Sequence, residues 1–135
     1  MDLGNALDFL TANHRAVLAT VRSDGRPQLS PVNCGVIDGA VVISSRAPLA
    51  KVANIRRRPE ASVLVTTDRF FGSWVQLEGP AEIVDQSVPG TLDLLDDVYR
   101  AIKGEHPDWA DYRAAMIRDE RVVIRISPRR ASGDL

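Results

Sequence analysis

The chain has 135 residues, 44% hydrophobic and 26% charged, with a formal net charge of −1. That balance fits one globular domain over residues 1–135 and excludes a disordered chain, a collagen-like repeat or a disulfide-stapled peptide. Near-neutral charge argues against a nucleic-acid coat, and no stretch holds the roughly 18 unbroken apolar residues of a membrane span. The start of the chain lacks the basic region of a signal peptide, and the single Cys34 cannot close an internal disulfide, so a reduced, cytoplasmic protein is expected.

In chain order, Leu3, Leu7, Phe9 and Leu10 predict a short amphipathic helix, and Ala16 to Val21 a buried strand. Ser23-Asp24-Gly25 is a hairpin signal, because glycine accepts the positive φ such turns need. The chain resumes extended from Gln28 to Asn33, where Pro31 cannot donate to a ladder and marks an edge or a bulge. Asp38-Gly39 is a second hairpin signal, leading into Val41 to Ser45. Pro48 fits the first turn of a helix that runs to about Arg58 and stops at Pro59. Ala61 to Thr66 is a strand. Ser73 to Gly79 alternates, with Val75 and Leu77 on one face and Trp74, Gln76 and Glu78 on the other, and Ala81 to Val84 continues it past a bend at Gly79-Pro80. Helices are predicted over residues 92–102 and 107–117, and a last strand over 122–126. Hairpin-linked strands interrupted by one short helix imply a mainly β fold with a few helices. Six or so antiparallel strands then close, or nearly close, into a small barrel.

Zinc-binding, dinucleotide-binding and phosphate-loop motifs are absent. His14 and His106 are too few for a histidine metal site, so no metal is expected. Cys34 reads as a buried, inert thiol. Adjacent acids such as Asp96-Asp97 read as solvated residues rather than as an acid/base pair.

The positive feature is the junction from Ser44 to Arg58. Two hydroxyls, Ser44 and Ser45, end a strand, and a helix N-terminus with free N–H groups follows. Helical spacing sets Lys51, Asn54 and Arg58 on one face and Leu49, Val52 and Ala53 on the other, toward the barrel. Arg46 and Lys51 bracket the helix start. Hydroxyls, amides and cations gathered there suit a phosphate group; a solvated basic helix end explains the same residues.

At these residues the chain resembles the pyridoxamine-5′-phosphate-oxidase-like, flavin-binding split β-barrel superfamily, and within it the actinobacterial branch that uses the deazaflavin coenzyme F420. The stretches that carry the resemblance are Val17-Leu18-Ala19-Thr20, Asp24 to Ser30, Ala50 to Arg57 with Pro59 to Ser62, Trp74 with Glu78-Gly79, and Gly104 to Arg113. They span nearly the whole chain in order. The resemblance implies a Greek-key-like split barrel that forms a homodimer, with a cofactor in each of two clefts at the subunit interface. It implies that Lys51 anchors the cofactor, and that Ser44 and Ser45 lie beside it. Gln28, Ser30 and Val32 would run under the ring system, Asn54, Arg56 and Arg57 would follow the lysine on its helix, and Trp74 would approach the partner's cofactor.

Two departures stand out. The pyridoxamine-type oxidases carry a C-terminal Trp- and Arg-containing substrate segment, and this chain ends Ser127 to Leu135 without Trp, against vitamin B6 oxidation. Where some deazaflavin relatives have a basic residue two before the lysine, this chain has Leu49, and Arg46 is the nearest substitute.

The implied activity is an F420-dependent oxidoreductase in which the reduced deazaflavin gives a hydride to an electron-poor small molecule. No catalytic side chain is required, because the cofactor carries the reactive carbon. The run Arg56-Arg57-Arg58 could hold an anionic cofactor tail or be the solvated end of the helix. FMN in the same fold is the alternative cofactor, and a non-catalytic cofactor- or tetrapyrrole-binding module is the alternative role.

Overall fold

Two hairpins start the barrel, and the turn residues account for both. The computed structural model describes residues 1–135. After helix α1 (Leu3–Ala12), strands β1 (Arg15–Val21) and β2 (Pro27–Asn33) pair antiparallel around a turn at Gly25, whose φ is 87°. Strands β3 (Gly35–Ile37) and β4 (Ala40–Arg46) pair around Asp38 and Gly39, both at positive φ (50° and 75°), as a tight two-residue hairpin demands. Helix α2 (Ala50–Arg57) leads to β5 (Glu60–Thr66) and the 11-residue β6 (Trp74–Val84). Helices α3 (Thr91–Lys103) and α4 (Trp109–Arg118) precede β7 (Arg121–Ile126) and β8 (Arg130–Asp134).

The strands run in the order β2-β1-β5-β6-β7-β4-β3, with β8 added to β6. Strand β6 turns the corner: Trp74 to Pro80 pair with β5, and Ala81 to Val84 pair with β7. Gly79 sits at the switch. A Cβ there would overlap the Ser127 carbonyl oxygen, so only glycine lets the two stretches cross. The eight strands exceed the six or so expected, because β3 and β8 were not anticipated. β2 is the edge strand that Pro31 foretold, since its only ladder partner is β1. β2 and β4 lie side by side without a ladder between them, and the barrel is therefore split.

The barrel core follows the alternation. Ser30, Leu18, Val63 and Leu77 form one inward row across four strands, and the last three are fully buried. Each such side chain contributes about 1.5–3 kcal/mol. A second core, built from Val42, Val123, Leu95, Val98, Tyr112 and Met116, holds the α3–α4 pair on the outside of β4 and β7. Arg113 clamps that pair by bonding Asp93 and Asp96.

Three boundaries differ from the sequence reading. Helix α2 starts at Ala50 with Leu49 as its N-cap, so Pro48 precedes the helix rather than opening it. Helix α4 starts at Trp109, capped by the Asp108 side chain, which accepts from the Asp111 amide. Cys34 lies between β2 and β3 rather than in a strand. It is fully buried, and that burial pushes its thiol up to about 12.

Candidate functional site

The split opens on a cleft of about 540 Å³. One lip is the end of β2, Pro31 to Asn33, with Arg15 and Ala16 of β1 beside it. The other is the end of β4, Ser44 to Arg46, with Leu49, Lys51 and Arg121. Each cation arrives for a local reason. Lys51 is in the first turn of α2, at the margin of the face that Val52 and Ile55 bury. Arg46 ends β4. Arg121 opens β7 after Glu120, whose left-handed backbone (φ 52°) turns the chain from α4 into the strand. The β4–β7 register then sets Arg46 directly opposite Arg121.

Like charges directly opposite on neighbouring strands destabilise a sheet, and nothing in the protein neutralises this pair. No carboxylate lines the cleft, and neither Arg46, Lys51 nor Arg121 has an acidic partner within 4.0 Å. The Arg121 Nε–H is buried without an acceptor. Lys51 is half-buried, and desolvation first, then the Arg121 charge, hold its ammonium below its ordinary range. A buried donor without an acceptor and three uncompensated cations fit one kind of occupant, an anion. The uncapped N-terminus of α2 points the same way.

Of the residues singled out in the sequence, Val32, Ser44, Ser45, Arg46 and Lys51 meet in this cleft. Gln28, Ser30, Asn54 and Arg57 do not. They form an internal chain of hydrogen bonds that staples α2 to the β1–β2 hairpin. Arg57 donates to Asn54 Oδ1 (3.1 Å), Asn54 to the Thr20 hydroxyl (3.1 Å), Thr20 to Gln28 (3.3 Å), and Gln28 to the Ser30 hydroxyl (2.8 Å). Asn54 is thus buried, not on an exposed face with Lys51, while Ala53 is exposed and does not pack on the barrel. Thr20 is what allows this, by giving the Asn54 amide a partner inside.

Arg56 pairs with Asp85 at 3.0 Å, and Arg58 with Glu60 at 2.9 Å. Trp74 sits on the outer face of the sheet, in the row Asn33, Arg15, Thr66, Trp74. That places it two strands, roughly 10 Å, from Arg15. The sequence reading missed Arg15, Asn33 and Arg121. Only Arg121 had a local signal, as a cation opening an apolar strand.

Beyond Asn33 the cleft continues in two directions. One branch, lined by Arg69, Lys103 and the Arg15–Asp68 ion pair (3.2 Å), has a volume of about 540 Å³. The other, about 250 Å³, runs beneath α3 and α4. No three His, Cys, Asp or Glu side chains gather to form a metal site, and no helix is long and apolar enough to cross a membrane.

Comparison with solved structures finds the same architecture elsewhere. The conserved hypothetical protein Rv2991 from Mycobacterium tuberculosis superposes with a TM-score of 0.77 at 29% identity, over 98% of this chain and 84% of that one. An F420 reductase superposes with a TM-score of 0.69 at 23% identity, over 93% and 94% of the two chains. A pyridoxamine 5′-phosphate oxidase-related, FMN-binding protein from Nostoc punctiforme does so at 0.68 and 13% identity, over 97% and 80%. A sequence model described as pyridoxamine 5′-phosphate oxidase matches residues 4–133. The split barrel, its unlaced seam and that near-complete match together place the chain in the pyridoxamine 5′-phosphate oxidase family.

Proposed function

We propose that this protein is an oxidoreductase that binds reduced coenzyme F420 in the cleft at the barrel split and delivers its hydride to an electron-poor small molecule. The observation that carries the reading is the cleft's three unpaired cations, Arg46, Lys51 and Arg121, with no carboxylate among its lining residues. Lys51 and Arg46 would take the cofactor phosphate, with the Ser44 and Ser45 hydroxyls and the first amides of α2 beside it. Val32 would border the ring. The bound deazaflavin supplies the transferable hydride. The protein's part is to fix the anionic end, hold the ring at reacting distance and keep water out.

The deazaflavin is preferred over FMN because it carries an anionic tail in addition to its phosphate. The run from Arg56 to Arg58 is a poor support for that tail, since Arg56 and Arg58 are already paired with acids and Arg57 bonds Asn54 and the Val21 carbonyl. In the branch beyond Asn33, Arg15 is likewise paired with Asp68, and Arg69 and Lys103 are the cations left to meet the tail. FMN is the second reading, favoured by the FMN-binding relative of the same fold.

The working unit would be a homodimer. The outer face of the sheet carries Pro31, Val17 and Leu64 in one row and Leu29 and Ala19 in the next. Leu29 is 62% exposed, and Val17, Leu64 and Trp74 are also exposed. A contiguous apolar face of this kind marks an interaction surface, and it adjoins the β2 lip of the cleft. Leu64→Arg should shift the protein to monomer in sedimentation analysis.

Paired fluorescence titrations with F420 and FMN test the cofactor. Saturable binding that is tighter for F420 is expected, and binding of neither compound would refute the reading. Oxidation of the reduced deazaflavin by enones, quinones or biliverdin-like acceptors tests turnover. Binding with no turnover on any acceptor would make the protein a cofactor-binding module instead.

A further inference from the structure

The branch lined by Arg69, Lys103 and the Arg15–Asp68 pair has a histidine in its wall, the half-buried His14 between α1 and β1. Two bonds fix it against Cys34. Its carbonyl accepts from the Cys34 amide at 2.8 Å, and its ring Nδ1 lies 2.9 Å from the Cys34 carbonyl oxygen. A carbonyl oxygen only accepts, so Nδ1 carries the proton, and in the neutral ring Nε2 keeps a free lone pair. Nε2 lies on the side of the ring away from that carbonyl, and no protein group bonds it.

The charged groups that share the branch come from three elements. They are Arg15 of β1, Asp68 and Arg69 of the β5–β6 connection, and Lys103 at the end of α3. Arg15 and Asp68 neutralise one another, which leaves two cations. No carboxylate comes within 4.0 Å of His14. His14 is the one histidine among the residues lining the cleft and its two branches, and imidazole is the side chain that ordinarily exchanges a proton between pH 5 and 8. A neutral His14 turns a lone pair toward an arriving carboxylate, which repels it. An imidazolium turns an N–H toward it, which makes a charge-assisted hydrogen bond.

We propose that His14 is the pH-dependent contact for the anionic tail of the cofactor. A tail carboxylate, drawn into the branch by Arg69 and Lys103, accepts from the Nε2–H of the His14 imidazolium, so binding takes up a proton. The inference rests on the cofactor reading above and names the residue through which pH governs recognition of the tail.

Imidazole nitrogen NMR on the full chain tests the tautomer. At pH 8 His14 should show a protonated Nδ1, and His106, whose Nδ1 accepts from the Asp108 amide at 2.9 Å, should show the opposite tautomer. Saturating F420 should keep the His14 ring protonated to higher pH and leave His106 unmoved. These measurements use the parent protein and do not depend on any variant folding. Calorimetry with F420 at pH 6 and pH 8 tests the contact. His14→Asn retains an amide donor for the Cys34 carbonyl and removes Nε2. Ionisation of the ligand itself is common to both proteins and cancels between them. The parent's gain in affinity from pH 8 to pH 6 should exceed that of His14→Asn by about ten-fold. His14→Lys, charged at both values, should bind at pH 8 more tightly than His14→Asn. An unprotonated Nδ1 at pH 8, an equal pH response in parent and His14→Asn, or a His14 titration unmoved by bound F420 would each overturn the assignment. Triglutamate, a stand-in for the tail carboxylates, separates the two readings. If the protein ignores F420 but triglutamate holds His14 protonated to higher pH, the cofactor reading fails alone. F420 bound without a response at His14 refutes this inference alone, and no response to either ligand overturns both.

Discussion

Lys51→Met separates a binding lysine from a structural one. The substitution keeps the aliphatic stem that packs at the helix margin and removes only the charge. In the free protein that charge is unwelcome, because it is half desolvated, faces Arg121 and has no carboxylate partner. Removing it should leave the melting temperature of the free protein unchanged or raise it. With an anion bound, the same ammonium makes a charge-assisted hydrogen bond worth about 1.5–3 kcal/mol. Its loss should weaken F420 binding by roughly ten- to a hundred-fold in a fluorescence titration.

The pH dependence follows from the direction of the shift. The folded protein holds Lys51 below the 10.5 of the unfolded chain, so between those values the unfolded state binds more protons and this group's contribution to stability rises with pH. Ligand binding runs the opposite way. An anion favours the ammonium, so affinity should fall as pH rises through the lowered value, with proton uptake on binding there. The variant should lose that pH dependence. A variant that binds F420 as tightly as the parent, or one that melts far below it, would refute this account of Lys51.

Other features give checks of their own. Asn54→Ala breaks the chain of bonds that fixes α2, removing the donor to the buried Thr20 hydroxyl and one acceptor of Arg57, so urea unfolding should show a loss of about 1–3 kcal/mol. Gly79→Ala drives a methyl group into the Ser127 carbonyl where β6 changes partners. A loss of about 1–3 kcal/mol is expected, because backbone rather than a flexible side chain must yield. Cys34, its thiol raised to about 12 by burial, should resist a thiol reagent at pH 8 in the native protein and react fully in denaturant.

Six of the eight strands are legible in the sequence because alternation or an apolar run marks each one, with a turn residue beside most. β3 and β8 are not. Gly35-Val36-Ile37 is too short to alternate, and Arg130-Ala131-Ser132-Gly133-Asp134 contains no strong strand former. β8 is a strand because the half of β6 from Trp74 to Glu78 has a free edge to pair. The site divides in the same way. Lys51, Ser44, Ser45 and Arg46 lie within eight residues of one another, so a local junction shows them. Arg121 enters through its register opposite Arg46 and Arg15 through its register opposite Asn33, and neither relation is written in local spacing. Asn54 misled because a helical wheel reports direction alone, and the Thr20 hydroxyl that draws it inward comes from another strand.

The unlaced seam between β2 and β4 gives the barrel one compliant direction. From β2 through β1, β5, β6 and β7 to β4, each strand is tied to the next by backbone hydrogen bonds. At the seam the two lips can part or approach without breaking a rung. The free edge of β2 has Pro31 at its middle, which offers no N–H to a competing strand, so the gap resists closing by β pairing. A molecule lodged between the lips would act as the missing rung and stiffen the shell around itself. Slower amide exchange along β2 would then report its arrival, even where no side chain changes position.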